Sequence, residues 1–326
     1  MRLILALSAL CALLFSTSLF VGSGNVGFWN SLRGYLGAGD PLVVLVMQEL
    51  RLPRAALAVL IGASLGLAGA GLQGFLRNPL AEPGIVGTSA FAALGAVLAL
   101  QTGLAAVFPM ALPLAGLAGA ALSVLLLLAL SGPGARTTTL ILSGVALSAA
   151  AGAMVSLALN LSRNPFAANE MMFWMMGSLA DRSFQHVVVA LPILALGALL
   201  IWSSRKGLDA LSLGEETAVS MGVDVRRLRL MLIFGTACLS GAATSVAGMI
   251  GFVGLVVPHL LRRATGGLPS RLLVPSAVGG AALILAADIT VRVILPGRDL
   301  KLGVLTALIG TPVFLHLIWK SRGREA

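Results

Sequence analysis

Apolar runs of about twenty residues, parted by short polar turns, recur along the chain, and each such run can cross a hydrocarbon layer. The pattern predicts ten spans: 3–22, 53–76, a short one at 87–103, 110–130, 140–160, 186–203, 228–250, a broken short one around Gly254 to Leu261, 272–294 and 303–319. Residues 23–50 read as a glycine-rich outer loop whose apolar piece, 42–47, is too short to cross. Residues 161–184 form a second outer segment, and 204–227 form the longest inner loop. The expected fold class is an all-α membrane protein, one transmembrane domain over 1–326.

Two spans carry a face cleared of bulk. Gly62, Gly66, Ala70 and Gly74 recur at every fourth residue, as do Gly144, Ser148, Gly152 and Ser156. In lipid, such faces let helix backbones approach closely. The first of these spans stops at Arg77-Asn78-Pro79, and the chain turns again at Glu82-Pro83-Gly84. Proline removes an amide donor and restricts the residue before it, so Asn78, Pro79 and Pro258 are read as helix breaks. An echo links Gly62-Ala63-Ser64-Leu65-Gly66-Leu67-Ala68-Gly69 to Gly241-Ala242-Ala243-Thr244-Ser245-Val246-Ala247-Gly248, at an offset of 179 residues. It maps spans 2–5 onto spans 7–10 in opposite orientation, the arrangement of an inverted repeat.

Composition changes the picture little: 58% of residues are hydrophobic and 10% charged, far from soluble-domain usage. The net charge of +10 does not point to nucleic acid, because the basic residues are scattered over short loops. Most of the 22 Lys and Arg fall on one side if spans alternate, which places both termini in the cytoplasm. Cys11 and Cys238 lie inside apolar runs without metal-ligand spacing, so no metal site is expected. The first 22 residues have no A-x-A site after them, and Leu10 stands before Cys11, so they read as a retained span.

Catalytic motifs are wanting. Gly62-Ala63-Ser64-Leu65-Gly66 matches G-x-S-x-G in form but lies within a spanning helix, not at a strand–turn–helix elbow. No G-x-x-x-x-G-K-[ST] phosphate loop occurs, so ATP-driven work would need a separate ATPase chain. Arg51 and Arg54 share a face at the mouth of span 2, and Arg292 ends span 9 on the same side. They suit either interfacial snorkelling or recognition of carboxylates. In the inner loop, Leu213 to Val223 offers a short helix between Gly214 and Gly222, with Ala218 inside it, as a capped loop helix or a docking knob.

A set of motifs in order resembles one family. They are Arg51-Leu52-Pro53-Arg54; the 62–87 stretch with Gln73 and Asn78-Pro79-Leu80-Ala81-Glu82-Pro83-Gly84; Phe173-Trp174-Met175-Met176-Gly177; and Leu213-Gly214-Glu215 with Ala218 and Gly222. Then come Gly251-Phe252-Val253-Gly254-Leu255-Val256-Val257-Pro258-His259, Ala287-Asp288 with Arg292, Gly303-Val304-Leu305-Thr306-Ala307, and Gly310-Thr311-Pro312-Val313-Phe314. Together they resemble the permease subunit of binding-protein-dependent ABC importers for iron complexes and cobalamin, the FecCD-type family. The resemblance implies an inner-membrane homodimer with two ATP-binding cassette subunits, which hold ATP and Mg while this chain holds no cofactor. It implies a periplasmic or lipid-anchored binding protein that docks on Arg51, Arg54 and Arg292. It makes Leu213, Gly214, Glu215, Ala218 and Gly222 the contact with the ATPase. It lines the route with spans 5 and 10, naming Thr137, Thr138 and Thr139 near a cytoplasmic constriction, with Gly144 and Ser148 above. The cargo would be a ferric siderophore, haem or cobalamin.

So few ionisable groups interrupt the spans that the path suits a bulky chelate better than a bare ion, which needs carboxylate or imidazole ligands. The Met171–Met176 run reads as interfacial packing. The rival reading is an ion-coupled secondary transporter using Asp288, the serious candidate for a deep carboxylate, with Arg292 four residues on as its helical partner.

Overall fold

A computed structural model of the chain describes residues 2–22, 27–108, 110–132, 137–162, 164–294 and 300–322, and among these the only regular elements are helices. Pro133–Arg136 in the turn before Thr137, Arg163 and Arg324 lie outside the described residues. The helices are α1 (Arg2–Phe20), α2 (Phe28–Tyr35), α3 (Pro41–Leu76), α4 (Thr88–Gln101), α5 (Ala111–Ser131), α6 (Thr137–Asn160) and α7 (Pro165–Met175). They continue with α8 (Phe184–Ser203), α9 (Arg205–Ser212), α10 (Glu215–Ser220), α11 (Val225–Ala247), α12 (Val253–Arg262), α13 (Pro269–Ile294) and α14 (Leu302–Arg322). Seven of the described helices are long and apolar enough to cross a membrane. With the shorter apolar α4 and α14, and the ten-residue α12, they make about ten elements of the expected bundle.

Two boundaries differ from expectation. Residues 42–47 do not lie in a loop; they open α3, where the Asp40 carboxylate accepts from the Leu42 amide at 2.9 Å and Pro41 takes the first helical position. Pro53 reads as a helix start, yet a wide π turn over Val46–Arg51 precedes it, in which the Leu52 amide reaches back to Met47. That turn absorbs the donor that Pro53 lacks. Pro258 is the second correction. It sits inside α12 and breaks nothing; the true break is 248–252, where Gly248 and Phe252 take φ of 75° and 69°. The carbonyl that Pro258 leaves without its helical donor is that of Gly254, and the Gln73 side chain donates to it at 3.2 Å. Gln73 has no exposed surface.

The bundle is built on α3. A β-carbon at Gly62 would collide with the Gly280 carbonyl, one at Gly66 with the Ser276 carbonyl, and one at Gly69 with the Gly254 carbonyl. Along about two turns, then, α3 lies backbone against backbone on α13 and α12. The other half repeats the scheme: α3 packs on α13 and α12, while α11 packs on α5 and α4. Gly66 meets Ser276, and its counterpart in the echo, Ser245, meets Gly116. The correspondence runs element by element rather than at a constant offset, because connection 77–87 is longer than 248–252.

Gly66→Leu should lower the thermal midpoint of the detergent-solubilised protein strongly, as overpacking of a tight contact costs about 3 kcal/mol or more. Gly152→Ala, at a glycine whose added β-carbon would touch nothing within 4 Å, should leave it unchanged. Equal melting of the two variants would contradict the backbone contact.

Candidate functional site

Three polar constellations sit at successive depths along α3. At its start, the C-terminal carbonyls of α1, which a helix leaves without internal partners, are taken up by arginines. Arg51 donates through Nη1 to Leu19 O and Phe20 O at 3.1 and 3.3 Å, and Arg292 through Nη1 to Ser18 O and Val21 O at 2.9 and 2.6 Å. Between α3 and α13 the Asp288 carboxylate, 1% exposed, receives Arg54 through Nε at 2.9 Å and Nη2 at 2.8 Å. Arg292 Nη2 lies 2.7 Å from the other carboxylate oxygen. Arg51 is only 5% exposed and is covered by Gly22. All three predicted docking arginines therefore stand together, with their heads engaged by the bundle rather than extended from it. Within this cluster three guanidiniums stand to one carboxylate.

At mid-depth the two breaks face each other. The turn Pro83–Val86 follows the break after α3, and the Phe252 amide at the start of α12 donates to Glu82 Oε1 at 2.8 Å. A cavity of about 390 Å³ opens beside this joint, lined by Leu65, Glu82, Met176, Met249, Val304 and Ala307 among others. Glu82 is a carboxylate at membrane depth that the sequence reading passed over. Of the Met171–Met176 run expected to pack at an interface, Met171 is fully buried in the core, and Met175 and Met176 line the cavity. Of the two spans expected along the route, α14 contributes Val304 and Ala307. On α6, a β-carbon at Gly144 would collide with Ile85 O, and Ser148 Oγ donates to Gly144 O at 2.9 Å. These two residues brace the Pro83–Val86 turn from behind. Thr137 is half-buried, and Thr138 and Thr139 are exposed at the far end of α6.

At that far end, α3 stops where Arg77 turns left-handed at φ 50°, and Asn78 Oδ1 accepts from the Leu80 amide ahead of Pro79's turn. Gln73 is held there by three bonds: its Nε2 donates to Gly254 O and Leu255 O, and its Oε1 accepts from Arg262 Nη2 at 2.9 Å. The 204–227 loop is fastened to the same place. Leu208 of α9 packs on Gly74, and Asp209 Oδ1 accepts from the Ser270 amide at the start of α13 at 2.9 Å. Gly214 and Gly222, with φ of 115° and 82°, bracket α10. Ala218 is fully buried; Leu213, Glu215 and two residues not foreseen, Val219 and Met221, are exposed.

Broken helices meeting at a cavity inside a bundle of helices long and apolar enough to cross a membrane fit a polytopic membrane permease. The chain belongs to the FecCD transport family, which matches residues 10–320. It is 44% identical over 297 residues to the vitamin B12 import system permease protein BtuC of Vibrio cholerae, covering 89% of this chain and 84% of that protein. It is 39% identical to the Fe(3+)-citrate import system permease protein YfmE of Bacillus subtilis (84% and 81%), and 37% identical to the ABC transporter permease protein YvrB of the same organism (91% and 85%). A solved structure described as of the metal-chelate ABC-transporter type, in an inward-facing conformation, superposes with a TM-score of 0.86 at 31% identity, covering 98% of this chain and 99% of that one.

Asp288→Asn should cost about 3–5 kcal/mol, since it leaves two arginines uncompensated at a buried site. Adding Arg54→Gln should restore part of the lost thermal midpoint. A single variant that melts like the parent would contradict the ion network.

Proposed function

We propose that this chain is the permease subunit of an ABC importer that carries a metal chelate, a corrinoid or a ferric complex, across the inner membrane. The observation that supports this is continuous likeness, over more than four fifths of the chain, to permeases named for vitamin B12 and ferric citrate import. In this reading two copies enclose the path, and two separate ATPase subunits hydrolyse ATP with Mg. The arginine end faces outward and receives a binding protein, and both termini lie in the cytoplasm.

The exposed residues of the loop suit the ATPase contact: Leu213, Val219 and Met221 give a small apolar tip beside Glu215 and Glu216. The arginine cluster suits acidic side chains of a binding protein, which would share guanidiniums already oriented by Asp288. Charge of this kind steers docking more than it supplies affinity. The ion-coupled alternative asks Asp288 to take up an ion, and its carboxylate oxygens are already held by two guanidiniums.

The test is reconstitution in proteoliposomes with an ATPase subunit and a binding protein loaded with cobalamin or a ferric chelate. Uptake should require ATP inside and persist with uncouplers; uptake that uncouplers abolish while ATP stays high would contradict the reading. Arg54→Glu should raise the binding-protein concentration for half-maximal stimulation about tenfold, as expected for a charge that guides association. An unchanged concentration dependence would remove Arg54 from docking.

A further inference from the structure

A cavity that the transport reading leaves unused lies at the loop end, where α5 stops and α6 and α11 begin. It measures about 260 Å³; Leu128, Leu140, Leu230 and Ile233 form its apolar walls, and Arg226 and Arg229 supply its charge. The charge there is lopsided. Arg226, Arg227 and Arg229 occupy the first two turns of α11, whose amino end is capped by Asp224. Against them stand Asp224, whose carboxylate accepts from the Arg227 amide at 2.9 Å, and the exposed Glu215, 3.7 Å from Arg229.

One turn deeper, between α5, α11 and α8, a second cavity of about 300 Å³ begins. Its walls include Leu117, Ala121, Leu125, Phe234 and Cys238 and hold no charged residue. Leu125 and Phe234, 63% and 40% exposed, leave it open sideways to the bilayer. Along α5 the residues of both cavities form one stripe: 117, 121, 124 and 128.

We propose that this is a binding site for an anionic phospholipid of the leaflet on the loop side. Its phosphate sits between Arg226 and Arg229, whose guanidiniums favour an anion at the lipid headgroup level. One acyl chain follows the furrow along α5. A carboxylate from a protein partner would answer the charge but leave the furrow empty, and a free phosphate has no use for it. The proposal needs only that the bundle is embedded in a membrane, so it stands apart from the identity of the cargo and of the ATPase.

The test is native mass spectrometry of the purified full chain in detergent, titrated with phosphatidylglycerol and with phosphatidylcholine of the same acyl composition. Phosphatidylglycerol should bind about tenfold more tightly, and Arg226→Gln with Arg229→Gln should erase that preference. Because Arg229 also faces Glu215, Ala121→Trp serves as the second variant: it fills the furrow without touching charge and should weaken both lipids about tenfold, as expected when buried apolar contact is lost. Equal affinity for the two lipids, a preference that survives the double variant, or an Ala121→Trp protein that binds both as before would each overturn the proposal. Displacement of the lipid by millimolar glycerol 3-phosphate would overturn it by showing that phosphate alone is read, and displacement by the ATPase subunit would overturn it by giving the arginines to a protein.

Discussion

Everything else in this bundle is arranged around the contact of α3 with α13 and α12, where main chain meets main chain. Apolar side chains gain little by leaving lipid for one another, so a membrane bundle must be held by dispersion contacts and by the few polar groups it can satisfy inside. Gly62, Gly66 and Gly69 supply the first by letting carbonyls of Gly280, Ser276 and Gly254 sit where side chains would otherwise stand. Gln73 and the Asp288 cluster supply the second at the two ends of the same seam. The seam is therefore clamped along its length.

The clamp also ties in the inner loop. The 204–227 loop is tied to the seam through Leu208 on Gly74 and Asp209 on the Ser270 amide. The seam runs from there to its other end, where Arg51, Arg54, Arg292 and Asp288 hold α1, α3 and α13 together. Between those ends stand the two helix breaks, joined by the Glu82–Phe252 bond and flanked by the cavity. Broken backbone is tolerated at membrane depth where it is buried in protein or borders a cavity, and both conditions are met here.

Much of this was legible in the chain. The four-residue spacing of small residues disclosed which face of α3 packs closely, and the spans and their number followed from apolar length. What the spacing could not disclose was the partner: Gly144 carries the same signal as Gly66 yet braces a turn, and Gly152 in the same stripe touches nothing. The arginines were legible as charges sharing one end, but their use in capping α1 depends on where the last carbonyls of α1 fall. Pro258 misled because a proline inside a helix is harmless once another side chain takes the freed carbonyl, and Gln73 lies far from it in sequence. Glu82 was overlooked for a similar reason: a carboxylate beside two prolines looks like a surface turn until the opposite break brings an amide to meet it.

The central claim is that main-chain contact joins α3 and α13 into one body. Spin labels near the loop-side ends of α3 and α13, in the purified chain and in the proposed complex with an ATPase subunit and nucleotide, measure that directly by pulsed dipolar spectroscopy. The account predicts a distance distribution that holds within about 2 Å, the scale of small helix adjustments. A shift approaching one helical turn, about 5 Å, would show the seam sliding and would contradict it.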